Sequence, residues 1–433
     1  MDFPILERVL WFIVARKLGF KVLRFSIGFG RPLLQWRGGP PDHVQYWLSM
    51  IPLGGYVKML DEHEGPVVSE DRHRAFHQRP VWQRIAVLLA GPVFNFLFAI
   101  LAYWLMFVSG VQAPKPMIEG VAPDSVAARA DIKPGDEIAA IDGRATPTLE
   151  SALVGILDEL LDDGRIDLTV REPSGATREV QFDVRGREQE LTEPLALFEG
   201  LGLRVGPAAA VAGEIQEGGP AERAGVRQGD RILLGNGEPI EGWAEWVDFL
   251  RNRPGETVEL TVMRGERELT LQATLDSMTE NGATFGRIGV SSPAFFTEQR
   301  YGLFESLPRA AEKTWEMMAF TASMIVHMIT GDVSLKNMAG PLSIADIAGS
   351  TANAGLAYFL NFLAAVSISL GILNLLPIPL LDGGQIVYQL AEWVKGSPLS
   401  ERAMVLGQQI GIFFVLALTG FAFYNDIVRL FGS

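Results

Sequence analysis

The chain has 433 residues, room for several domains, and its 48% hydrophobic content with a positive mean hydropathy points to a membrane protein. It contains no cysteine, which excludes disulfides and cysteinyl metal sites. The net charge of −14 is unevenly placed: residues 113–300 hold 19 Lys and Arg against 34 Asp and Glu, so the acidity belongs to one soluble insert and no nucleic-acid partner is expected.

The Met1 end offers no secretory signal, because Glu7 and Arg8 interrupt its only apolar run. Residues 25–81 follow, rich in β-branched and aromatic residues punctuated by Gly and Pro (RFSIGFG, PLLQWRGG, HVQYWLSMIPLGGYVKML), which predicts hairpin strands. Ile85 to Val108 is 24 residues without a charge, enough to span a hydrocarbon core of about 30 Å. Its Asn95 is expected to bond to a neighbouring helix. Eleven Lys and Arg between Arg16 and Arg84 precede this span and predict a cytoplasmic placement for that segment, with the acidic insert on the opposite side.

Within the insert, Ala127, Arg129, Ala130, Gly135, Asp136, Ile138 and Gly143 recur 94 residues later as Ala221, Arg223, Ala224, Gly229, Asp230, Ile232 and Gly237. That period suits two copies of a small domain, here 113–206 and 207–295. Each copy reads as a short helix, a Gly-Asp turn, a strand and a second turn at Asp-Gly or Asn-Gly. The run resembles PDZ domains, which bind extended peptides by adding a strand to a sheet edge. Gly202 in GLGL (200–203) and Gly289 in IGVS (288–291) then fall in the closing strands and peptide-facing loops. The alternative is that the pair serves only as scaffold.

Residues 296–350 include an apolar window, Met317 to Gly331, too short to span and expected to be an interfacial or packed helix. Two further spans are expected within 355–381 and 404–424. The sequence is free of charge from Ile347 through Leu381, and Asp382 ends that silence. A lone carboxylate at membrane depth marks a functional site with a partner.

NLLPIPLLDGG (374–384), together with GPVFNF, FSIGFG, IPLGGYVKML, AGPLSIA and the repeated PDZ-like insert, resembles the site-2 protease family of intramembrane zinc metalloproteases, in its regulator-of-sigma-E branch. The resemblance runs from about Phe12 to the end. It implies a multi-pass helical membrane protein of the bacterial inner membrane, with a pair of PDZ-like domains on the periplasmic side and a membrane-dipping β-hairpin. It also implies regulated intramembrane proteolysis of a pre-trimmed single-span substrate of the anti-sigma-factor type, and peptide C-termini as partners of the PDZ-like pair. By the same resemblance Asp382 is the third zinc ligand and Asn374 stabilises the oxyanion, while Gly54, Gly55 and Tyr56 in the hairpin, with Gly202 and Gly289, contact substrate.

The two imidazole ligands and the general base of that family come from His-Glu-x-x-His, two ligands at i and i+4 on one helical face. It falls immediately before the segment that reads FIVARKLGF here, which maps it onto Glu7, Arg8, Val9, Leu10 and Trp11, and no position matches. Residues 1–24 are accordingly expected to be a remnant of the first membrane helix. His73 and His77 have the i,i+4 spacing but no acid between them and read as a solvated loop; His63 reads as surface, His43 as part of a strand, and His327 as a packed side chain. The chain as it stands is therefore expected to lack zinc and proteolytic activity, the alternative being a peptide-binding pseudoprotease built on the PDZ-like pair.

Overall fold

The computed structural model describes residues 3–40, 42–61, 71–193, 196–206, 209–240, 242–265, 267–280, 283–291, 296–397 and 399–431. The chain divides into two compact units, one comprising Met1–Gly110, Arg300–Ala322 and Met338–Ser433, the other Val111–Gln299 and Ser323–Asn337.

The first unit opens with helix α1 (Phe3–Lys17), which stops where Gly19 turns the backbone to φ +82°. Strand β1 (Val22–Arg37) follows, starting three residues ahead of the boundary read from the sequence, and pairs antiparallel with β2 (Gln45–Met59). The turn between them contains His43 at φ +48°, which corrects its strand assignment: a left-handed residue cannot continue a pleat. Trp11, Ala15, Phe20, Val22 and Phe25 form one apolar cluster with Val87, Leu88 and Ala90 of helix α2 (Val81–Ser109).

The insert begins with β3 (Val111–Pro114) and β4 (Ile118–Val121), then α3 (Val126–Arg129), β5 (Glu137–Ile141), β6 (Arg144–Ala145), α4 (Leu149–Asp162), β7 (Arg165–Arg171), β8 (Thr177–Asp183), α5 (Glu188–Leu191), α6 (Ala196–Leu201) and β9 (Leu203–Val205). The second copy runs α7 (Pro220–Arg223), β10 (Arg231–Gly235), β11 (Glu238–Pro239), α8 (Trp243–Arg251), β12 (Thr257–Arg264), β13 (Arg267–Thr274), β14 (Asp276–Glu280) and β15 (Ala283–Arg287). Strand β16 (Phe296–Gln299) pairs with β3, so the chain enters and leaves the insert through one two-stranded ribbon. The two main sheets have the same order, β6-β5-β7-β8 and β11-β10-β12-β13, each over its own apolar core.

The repeated residues have repeated jobs. Asp142-Gly143 and Asn236-Gly237 all lie at positive φ and form the two-residue hairpin turns β5–β6 and β10–β11, where such residues avoid strain. Asp136 accepts the Lys133 N–H at 3.0 Å and pairs with Arg178 at 2.9 Å; Asp230 accepts the Arg227 N–H at 2.8 Å and pairs with Arg264 at 2.6 Å. Burial raises the Asp230 pKa, but the bonds from Arg264 and Arg227 outweigh it and hold the carboxyl below its ordinary 3.8. A depressed folded-state value means the stabilisation is complete above the unfolded value and is lost as pH falls through the folded one. Residues 111–299, expressed as a soluble fragment, are expected to unfold cooperatively. Asp230→Asn should cost about 1.5–3 kcal/mol near neutral pH and blunt the loss of stability below pH about 4; calorimetry at stepped pH checks both.

After the insert come α9 (Ser306–Thr330), α10 (Pro341–Ala354), α11 (Leu356–Leu375), α12 (Asp382–Lys395) and α13 (Glu401–Phe431). Among the described residues three helices, α2, α11 and α13, are long and apolar enough to cross a membrane. His327 near the end of α9 faces Asp332 at 3.2 Å, a polar partner rather than plain packing. The fully buried Asp426 of α13 accepts the N–H groups of Gly340, Leu342 and Ser343 and the Ser343 hydroxyl, capping α10. The apolar window 355–381 does not form one helix: α11 ends at Leu375, because Pro377 and Pro379 lack the N–H an α-helix needs.

Candidate site at the junction of α11 and α12

Asn374 lies in the last turn of α11 and Asp382 is the first residue of α12; both are half-buried. The linker 376–381 is tied down by its own backbone. Ile378 N–H donates to Leu376 O at 2.7 Å and Leu381 N–H to Ile378 O at 2.8 Å, while the Gln385 amide donates to Pro379 O at 2.9 Å. Gly383 and Gly384 are required by close approach: a Cβ would stand 2.2 Å from Leu375 O at the first and 2.1 Å from Ile378 O at the second. Only glycine lets the Asp382 turn fold back onto the end of α11, so the DGG of the motif brings the Asn374 and Asp382 turns side by side. α13 packs on the same linker through Gly411, where a Cβ would lie 3.1 Å from Leu380 N.

α12 is anchored by a contact that no motif announces. Arg84 of α2 reaches Glu392 at 3.1 Å, with the side chains 8% and 12% exposed, and the other Glu392 oxygen accepts the Leu399 N–H at 3.2 Å. Asn95 behaves otherwise than expected. Its backbone carbonyl accepts the Ser367 hydroxyl of α11 at 2.8 Å, while both side-chain amide atoms are buried and have no hydrogen-bond partner among the described residues. The helices pack closely here, for a Cβ on Gly371 of α11 would stand 3.3 Å from the Asn95 Cβ and 2.7 Å from the Phe96 ring.

The hairpin glycines have local reasons. Gly54 adopts φ +80°, and Gly55 faces Ser26 O, which a Cβ would approach to 2.3 Å. The Tyr56 hydroxyl accepts a bond from Arg24 at 3.2 Å and its ring stacks on Phe29. In the insert Gly202 and Gly289 occupy equivalent places, both at φ +78°, with carbonyls that accept the N–H of Ala122 and Gln216 respectively, 94 positions apart. Gly289 lines a cavity of about 720 Å³ in the second copy.

Glu7 to Trp11 fall on α1. Trp11 is 8% exposed, the Arg8 guanidinium lies 5.0 Å from its ring, and Ile386 of α12, one turn beyond Asp382, packs against the same cluster. The position that would carry a second imidazole therefore lies in the apolar cluster that α12 also joins through Ile386. A three-ligand zinc centre does not fit the donors present. Among the described residues no three His, Cys, Asp or Glu side chains gather into a metal-holding group. His43 and His73 are exposed, His77 pairs with Asp61 at 3.3 Å, and His63 lies outside the described residues.

A family model described as Peptidase family M50 matches residues 11–418. The chain belongs to that family. The M50 proteins most like it include the Regulator of sigma-E protease RseP of Escherichia coli (strain K12), 40% identical over 429 residues that cover 97% of this chain and 94% of that protein. A putative zinc metalloprotease of Vibrio cholerae is 38% identical over 429 residues, with the same coverage. The solved PDZ domain of the SdrC-like protein from Listeria monocytogenes aligns with 20% of this chain and 90% of its own at 19% identity and a TM-score of 0.18. M50 membership makes this chain a site-2 protease homologue of the bacterial inner membrane, related to regulators of sigma-E protease, and implies zinc for the family.

Proposed function

We propose that this chain is an M50 pseudoprotease: it engages a single-span membrane protein of the anti-sigma-factor type and binds peptide ends through its PDZ-like pair, but does not cut. The observation that carries the reading is the run Glu7-Arg8-Val9-Leu10-Trp11 where the family's His-Glu-x-x-His belongs. Asp382 keeps the place of the carboxylate ligand and Asn374 that of the oxyanion donor, supported by the Asn374-to-Gly384 motif and the close turn it makes. One carboxylate is well short of the three protein ligands of a catalytic zinc site. The hairpin, with Phe29, Leu33, Leu34 and Trp36 exposed on β1, supplies a surface for an added substrate strand. The insert is assigned to the periplasmic side, on the strength of the basic residues that precede α2.

The purified chain is expected to carry no stoichiometric zinc and to leave a single-span reporter uncut while still crosslinking to it. Zinc at one per chain together with cleavage would overturn the reading.

A further inference from the structure

Two buried N–H groups on α1 have no acceptor among the described residues. Arg8 and Trp11 lie i, i+3 on one face of that helix, and the Arg8 Nε and Trp11 Nε1 atoms are both shut off from solvent without a hydrogen-bond partner. Trp11 as a whole is 8% exposed. The Arg8 guanidinium lies 5.0 Å from the centre of the Trp11 ring and forms no ion pair among the described residues. The side chains clustered with Trp11, among them Ala15, Phe20, Val87 and Leu88, offer neither an acceptor nor a charge.

The face of an indole offsets part of a guanidinium's charge. It satisfies neither N–H. A buried donor without an acceptor is costly and a cation in apolar surroundings more so, which calls for an occupant that accepts from both atoms and carries negative charge. In the family's His-Glu-x-x-His these two positions hold the general base and the second imidazole, groups that suit a metal cation. Here they hold a positive charge and two donors, so the polarity of the place is inverted.

We propose that Arg8 and Trp11 hold a small monovalent anion, a carboxylate of formate size or a halide, at the place where the family's motif serves a metal cation. The flat guanidinium fork matches a carboxylate, and the indole N–H adds a donor beside it. The burial of both N–H groups keeps the ion small. This goes beyond the pseudoprotease reading and shares with it only the alignment of residues 7–11 with the motif; it does not need the insert to bind peptides.

The test uses the full chain in detergent and follows its thermal midpoint as potassium gluconate, a bulky anion, is replaced by potassium formate or potassium bromide at constant ionic strength. An ion that binds only the folded chain raises the midpoint along a saturating curve. Saturation with formate, bromide or both supports the proposal, and the pattern tells a planar carboxylate from a simple halide. Trp11→Phe keeps a ring and removes the N–H, so it should weaken the fitted affinity by about tenfold, as loss of one hydrogen bond to a charged group does. Arg8→Gln should abolish the saturable response. A saturating response that both variants keep places the anion elsewhere and overturns the proposal. So does a midpoint that climbs without saturating, which is a general salt effect, or one that responds to neither salt, which leaves water as the occupant. The titrations of the parent need no altered chain, so a misfolded variant leaves them decisive. Metal analysis of the same sample keeps the two readings apart: one zinc per chain would overturn the pseudoprotease reading, whereas a zinc-free chain with no saturable response overturns this inference alone.

Discussion

Changing Glu7→His, Arg8→Glu and Trp11→His together is expected to give a chain that binds one zinc ion, measured by metal analysis after gel filtration, and that cuts a single-span reporter the parent leaves intact. The three changes write His-Glu-Val-Leu-His across 7–11, and α1 already provides the helix that puts i and i+4 on one face. Trp11 is buried in the cluster that Ile386 joins one turn after Asp382, and removal of the indole supplies room for an imidazole within that cluster. With Asp382 the donor set then reaches the three protein ligands of a catalytic zinc site. Asp382→Ala in the same background should abolish both properties. A triple variant that folds yet stays zinc-free would show that α1 does not bring position 11 to Asp382.

Glu392→Ala is expected to be the most damaging single change in the membrane unit. It strands the Arg84 guanidinium, 8% exposed and paired at 3.1 Å, and the Leu399 N–H that the same carboxylate accepts. Breaking a buried pair from one side typically costs about 3–5 kcal/mol, enough to lower the midpoint of a detergent thermal scan by several degrees. Replacing both partners with apolar residues of similar size, Arg84→Met with Glu392→Leu, should recover most of that loss, because no uncompensated charge remains. If the single change and the double change cost the same, the pair contributes shape rather than charge compensation.

Much of the architecture was legible because its causes are local. A run of 24 uncharged residues has few homes other than a membrane, and α2 covers it. The Gly-Asp and Asp-Gly or Asn-Gly turns repeat because each needs the same positive φ or the same carboxylate bond, so one copy of the insert reads like the other. Where the reading failed, a neighbour from far along the chain decided. Asn95 carries a polar side chain that sequence assigns a partner, but α11 packs close to it at Gly371 and, among the described residues, only its backbone is bonded. The ion pair of Arg84 with Glu392 joins residues 308 apart and has no pattern to announce it.

By itself the sequence determined the spans, the doubled insert, the motif around Asp382 and the lack of a His-Glu-x-x-His run, each written in residue type and spacing. Only the tertiary structure decided that the apolar window 355–381 is a helix, a tight linker and the start of a second helix, with Gly383 and Gly384 laid against the carbonyls of Leu375 and Ile378. It also decided that Trp11 is buried in an apolar cluster with α2 residues, which Ile386 of α12 joins. The division has one physical reason: periodicity and backbone propensity act over a few residues, whereas close approach and charge pairing depend on segments that only folding brings together.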